Sequence, residues 1–160
     1  MSTHDAELLR RTFAVARDAA RAGNLPFGAV LADRAGTVLL EAGNISGQTG
    51  DWTDHAELCL VRKAFQELGA ERLAGTTLYS SAEPCAMCAG AIAWAGIRRL
   101  VYAMGGEGLY DIVGRGEDVP GLYLPCRAVL ATANRPVAVT GPMLEDEAAA
   151  LYRGLARWGM

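Results

Sequence analysis

The 160-residue chain predicts a three-layer α/β sandwich around a mixed sheet. Two patterns carry that expectation. A pair of short apolar runs separated by a turn lies near the N-terminus, and after residue 53 strand-like and helix-like segments alternate. In order, Leu9, Phe13, Ala16 and Ala20 recur at helical spacing, so residues 4–22 read as an amphipathic helix stopped at Gly23-Asn24. Residues 28–33 and 37–42 read as a hairpin around Arg34-Ala-Gly36. Thr53-Asp54 can cap a helix over about residues 54–68, closed by Gly69. Residues 76–80 form a strand, Pro84 opens a helix to about Ala95, and residues 99–103 form another strand. Residues 105–127 hold six glycines and two prolines among acids, which reads as a long loop with room for a short helix. Residues 128–132 and 136–140 read as short strands, and a last helix runs from Glu145 to Trp158 with Leu144, Leu151 and Leu155 on one side. No domain boundary is visible, so residues 1–160 are expected to form one domain.

Composition narrows the function. The chain is 51% hydrophobic and 21% charged, with net charge -3, which excludes a disordered chain. No apolar run reaches the roughly 18 residues needed to span a bilayer, and the acidic start lacks the pattern of a signal peptide. A cytoplasmic protein with reduced cysteines is the expectation. The 15 basic residues are scattered among 18 acids, so composition demands no nucleic-acid surface.

The chemistry is concentrated in two short segments, His55-Ala56-Glu57 and Pro84-Cys85-Ala-Met-Cys88, each at an expected helix start. One helical turn brings the sulfurs of Cys85 and Cys88 to the same side, a spacing that suits two thiolates on a tetrahedral zinc. His55 supplies a third ligand. With no fourth protein ligand evident, a position remains for water, as in a catalytic zinc site, where the metal lowers the pKa of water toward about 7. Glu57 can take the proton of that water and pass it to a ring nitrogen and a leaving amine. Either segment alone says little: Cys-x-x-Cys also serves redox chemistry or half a zinc knuckle.

Together these segments resemble the zinc-dependent cytidine/deoxycytidylate deaminase superfamily. Leu25-Pro-Phe-Gly-Ala-Val30, Gly43-Asn44, Glu83-Pro-Cys-Ala-Met-Cys-Ala-Gly-Ala-Ile92 and Arg98-Arg-Leu-Val-Tyr102 are similar to the branch holding guanine deaminases and tRNA adenosine deaminases. The resemblance is good over about residues 5–104 and weaker beyond. It implies a cytidine deaminase-like fold with a five-stranded sheet flanked by helices, and usually a homodimer. It also implies one Zn2+ per subunit on His55, Cys85 and Cys88, with Glu57 as proton shuttle. Asn44 then hydrogen-bonds the base and Phe27 lies against the ring, although a turn residue and a core residue are the plain readings of these two. Ala56 and Pro84, beside the metal ligands, join the candidate substrate-binding set. Trp94 is either helix packing or a dimer contact that closes the site. Glu107, like Asp111, is either a solvated acid or an acceptor for ring N–H groups. Cys59 and Cys126 read as buried small apolar side chains.

The substrate expected is a small free nucleobase or related amino-heterocycle, with guanine leading and cytosine, a pterin or an aminotriazine behind it. Members of the branch that edit tRNA usually carry a lysine-containing segment after the fourth strand and a basic last helix. Here that segment is Met104-Gly-Gly-Glu-Gly-Leu-Tyr-Asp111, without lysine, and the last helix sets Arg153 and Arg157 against Glu145, Asp146 and Glu147. Nucleic acid is therefore the less favoured partner, and editing of tRNA adenosine to inosine is the alternative.

Overall fold

The computed structural model describes residues 3–115 and 120–155. Five strands form one mixed sheet: β1 (Gly28–Ala32), β2 (Val38–Gly43), β3 (Thr77–Ala82), β4 (Arg99–Met104) and β5 (Ala138–Thr140), in the order β2-β1-β3-β4-β5. β1 pairs antiparallel with β2 and β3, while β3, β4 and β5 run parallel. The helices are α1 (Thr3–Arg21), α2 (Ser46–Thr49), α3 (Ala56–Leu73), α4 (Ala86–Trp94), α5 (Gly106–Val113), α6 (Cys126–Leu130) and α7 (Glu145–Gly154). No helix among the described residues is long and apolar enough to cross a membrane.

Strand alternation divides the core between the two faces of the sheet. Val30, Tyr79, Val101 and Ala103 pack with Leu9 and Phe13 of α1, Leu109 of α5 and Leu151 and Tyr152 of α7. Leu31, Leu78, Leu100 and Tyr102 pack with Leu60 of α3, Ile92 of α4 and Cys126 and Leu130 of α6. The three-layer sandwich is thus the observed architecture.

α1 lies almost against the sheet. A Cβ on Gly28 would come 2.3 Å from the Thr12 carbonyl oxygen and 2.7 Å from the Ala16 nitrogen, both backbone atoms that cannot swing aside. Gly28→Ala is accordingly expected to destabilise the protein by about 1–3 kcal/mol or more, read as a lower midpoint in urea at unchanged slope. Beyond that contact, Asp5, fully buried on α1, accepts two 2.9 Å bonds from the Arg99 guanidinium and one from the Tyr79 hydroxyl. Burial, with Asp5 alongside, pushes the Tyr79 hydroxyl up to about 12.

Three expectations need correction. Residues 128–132 are not a strand: α6 occupies Cys126–Leu130, with Pro125 as N-cap, so its apolar side chains face α4 rather than extend the sheet. The short helix for which residues 105–127 left room is α5, whose Leu109 is buried. Gly69, at φ 74° and ψ 164°, breaks the helical path, but the chain re-enters a helical turn through Leu73. His55, not Thr53 or Asp54, is the N-cap of α3, and it makes no side-chain capping bond. The short α2 lies where no element was expected. The last helix is described only to residue 155, so its expected extension to Trp158, with Arg157, lies outside the described residues, as do Glu117 and Asp118 in the loop.

Candidate active site

The two reactive segments converge at the carboxyl end of β3, a place where α/β sheets characteristically open a crevice for ligands. β3 runs out into Glu83-Pro84-Cys85, and Cys85 becomes the N-cap of α4, putting Cys88 one turn into the helix. α3 starts beside it, with His55 as its N-cap and Ala56 and Glu57 in its first turn. Both helix starts direct free N–H groups and partial positive charge toward this point, which favours thiolates.

His55 Nδ1 lies 3.6 Å from Cys85 Sγ and 3.7 Å from Cys88 Sγ, and all three donor atoms fall within 4.8 Å of one another. A tetrahedral zinc, with sulfur at about 2.3 Å and nitrogen at about 2.0 Å, requires such unlike donors about 3.5 Å apart. The measured edges meet that requirement, so the three residues can hold a zinc ion. Cys85 is drawn well below the usual thiol range, chiefly by the hydrogen bond from Cys88 and then by His55. The same contact and burial push Cys88 up, so Cys85 is the first of the two to ionise. Cys59 and Cys126 lie apart from the cluster; Cys126 is fully buried, as a packing residue would be, whereas Cys59 is only half-buried, with its thiol toward Asp54.

Glu57 is 5% exposed, and burial raises its carboxyl, opposed by a 2.7 Å hydrogen bond from Ser80 Oγ to Oε1. Asn44 follows β2 and is 1% exposed. The backbone bond from Ile45 N–H to the Asp54 carbonyl holds the segment carrying Asn44 against the one carrying His55. Asn44 Oδ1 accepts from both the amide and the hydroxyl of Ser46, at 3.0 and 2.7 Å. Its Nδ2 is buried without a hydrogen-bond partner among the described residues. A buried amide nitrogen is costly to leave unpaired, so a donor free in this position is available to an acceptor.

Phe27 is half-buried between the two core layers, its ring 5.7 Å from that of Tyr152 on α7. Ala56 and Pro84 are buried beside the metal-ligand positions. The structure does not gather Trp94 or Glu107 into this cluster. Trp94 is 91% exposed and lines an apolar groove on the outer faces of α3 and α4 with Leu58, Val61 and Phe65. Glu107 turns to solvent, its carboxylate held by Arg115 at 2.7 and 2.8 Å, and that guanidinium lies over the rings of Tyr110 and Tyr123. Asp111 is exposed on the same helix. Glu83, named in sequence only as part of a motif, bridges three segments: its carboxylate accepts from the amides of Gly106 and Cys126, each at 2.9 Å.

Residues 2–104 match the model of the cytidine and deoxycytidylate deaminase zinc-binding region. The chain is 38% identical to a probable cytosine deaminase of Schizosaccharomyces pombe over 157 residues, covering 96% of this chain and 93% of that protein. It is 47% identical to a tRNA-specific adenosine deaminase of Agrobacterium fabrum, but over only 54% of this chain and 57% of that one. Guanine deaminase from Nitrosomonas europaea superposes with a TM-score of 0.79 at 26% identity, covering 97% of this chain and 85% of that one. The chain belongs to the zinc-binding cytidine and deoxycytidylate deaminase family, and is a deaminase of that family.

Proposed function

We propose that this protein removes the amino group of a small free nucleobase by hydrolysis, with His55, Cys85 and Cys88 holding zinc and Glu57 moving the protons. The observation that carries the substrate class is the buried, unpartnered Nδ2 of Asn44 beside the histidine segment. Because Ser46 occupies Oδ1, Asn44 can only donate, and its complement is an acceptor such as the ring carbonyl of guanine or cytosine. Relatives alignable along nearly the whole chain are named for those two bases, which supports testing them first.

Zinc held by the three ligands supplies Lewis-acid chemistry, bringing a water molecule within reach of deprotonation near neutral pH. Asn44 fixes the ring by its acceptor, and Phe27 offers an apolar wall. Glu57 takes one proton from the water as its oxygen bonds to the amino-bearing carbon, and passes that proton to the adjacent ring nitrogen. It then transfers the second proton to the amine, the C–N bond breaks, and ammonia leaves as the ring carbonyl forms.

Asn44→Asp keeps the oxygen that Ser46 needs but removes the donor. It is expected to lower kcat/KM at least about tenfold with zinc content unchanged, checked by steady-state ammonia release. The reading itself is tested by ammonia release from guanine, cytosine, adenine, a pterin, an aminotriazine, cytidine and an anticodon stem-loop. Release from a free base, with none from the stem-loop, is the expected result. The identity to a tRNA-specific deaminase favours the second reading, which predicts salt-sensitive binding to the stem-loop and inosine formation in it. That outcome without turnover of any free base would overturn the first.

A further inference from the structure

β3 carries two consecutive serines that serve opposite layers of the fold. Ser81 Oγ accepts from the Gly28 amide at 3.1 Å and from the Tyr152 hydroxyl at 2.9 Å, on the side of α1 and α7. Ser80 faces α3, and its hydroxyl donates to Glu57 Oε1 at 2.7 Å. Both partners are sequestered, Ser80 being 1% exposed and Glu57 5%. Among the described residues, no other side chain hydrogen-bonds the Glu57 carboxylate.

The terminal torsion of a glutamate side chain is broad and roughly two-fold, so its rotamer alone does not fix the plane of the carboxylate. A hydroxyl has a single proton to give, and here Oε1 receives it. Ser80 in turn is anchored in a central strand, paired with Ala29 of β1 and Tyr102 of β4, so the donor cannot drift. A group held in this way by a rigid strand is preorganised, and small misplacements of a proton carrier are costly.

We propose that Ser80 is a positioning residue for the proton transfer: its hydroxyl fixes the plane of the Glu57 carboxylate and reserves Oε2 for the proton in transit. The inference rests on Glu57 being the shuttle. Ser80 carries no proton itself. Oε2 takes the proton from water and gives it to the base, and the Ser80 bond to Oε1 persists throughout.

The test compares Ser80→Ala and Glu57→Gln with the wild type, each zinc-loaded, using guanine and cytosine as probes. Ser80→Ala is expected to lower kcat by about ten- to a hundredfold, with KM within about twofold and zinc still at one per chain. A kcat within about twofold of wild type, or a loss that merely follows loss of zinc, would overturn the proposal. Should the alanine variant fail to fold, Ser80→Cys, similar in size but a weak donor, is read by the same criteria. Activity retained in Glu57→Gln would overturn the shuttle reading; an inactive glutamine variant beside a fully active Ser80→Ala would overturn the role of Ser80 alone. Independently of turnover, carboxyl-13C glutamate labelling reports the Glu57 resonance, assigned by its absence in Glu57→Gln. Ser80→Ala is expected to shift it in both zinc-free and zinc-loaded protein, and an unmoved resonance counts against the proposal whichever base is used.

Discussion

Glu57→Gln is expected to retain one zinc per chain and an unchanged melting temperature while lowering kcat by about 10²–10⁴-fold. The size follows from what glutamine keeps and loses. It fills the same volume at the start of α3, and its amide oxygen can still accept from Ser80 Oγ, so the 2.7 Å contact and the packing survive. It cannot take a proton from water or return one to an amine. Because Glu57 is only 5% exposed, bulk solvent is poorly placed to replace it. Full activity in this variant would remove Glu57 from the chemistry. Loss of zinc along with activity would assign it a structural role instead. Ammonia release and zinc content measured on the same preparation separate these outcomes.

Removing one thiolate should cost more. Cys85→Ala or Cys88→Ala leaves two protein donors, which cannot close the tetrahedral arrangement that the 3.6 and 3.7 Å edges prescribe. Activity is expected to fall to background, with zinc well below one per chain. Cys88→Ala should also lower the melting temperature, since this side chain is wholly buried at the foot of α4 and the bound metal favours the folded state. Stripping the wild type with a chelator should reproduce the loss of activity, and zinc should restore it. The same addition should fail to rescue either variant. A Cys88→Ala protein with full zinc and wild-type turnover would contradict the ligand assignment.

Much of the site was legible because its chemistry is local in sequence. His55 and Glu57 are two residues apart, and Cys85 and Cys88 one turn apart, so local spacing paired them, while shared metal chemistry and the family resemblance joined the two pairs. The hairpin and the change of period after residue 53 likewise follow from nearest-neighbour patterning. What escaped depends on contacts between distant segments. Ser80 has no signature in a core strand, and only the fold brings it to Glu57, 23 residues away in sequence. A polar Ser-Ser pair in the strand that leads into the Cys85 segment was the available signal. The stretch from Ala128 to Thr132 suits a strand by composition, yet Pro125 starts a helix whose Cys126 and Leu130 find an apolar surface on α4. Glu107 looked available for substrate because sequence could not show that Arg115, eight residues on, would hold its carboxylate.

Isotope transfer tests most directly whether water replaces an amino group on a free base. Zinc-loaded protein is incubated with guanine or cytosine in 18O-enriched water, and the product is weighed by mass spectrometry while ammonia is titrated. The predicted result is xanthine or uracil carrying one 18O, with one ammonia released per product. A product without the heavy oxygen, or no turnover of guanine, cytosine or any other free base of the panel by protein holding one zinc per chain, would contradict that replacement.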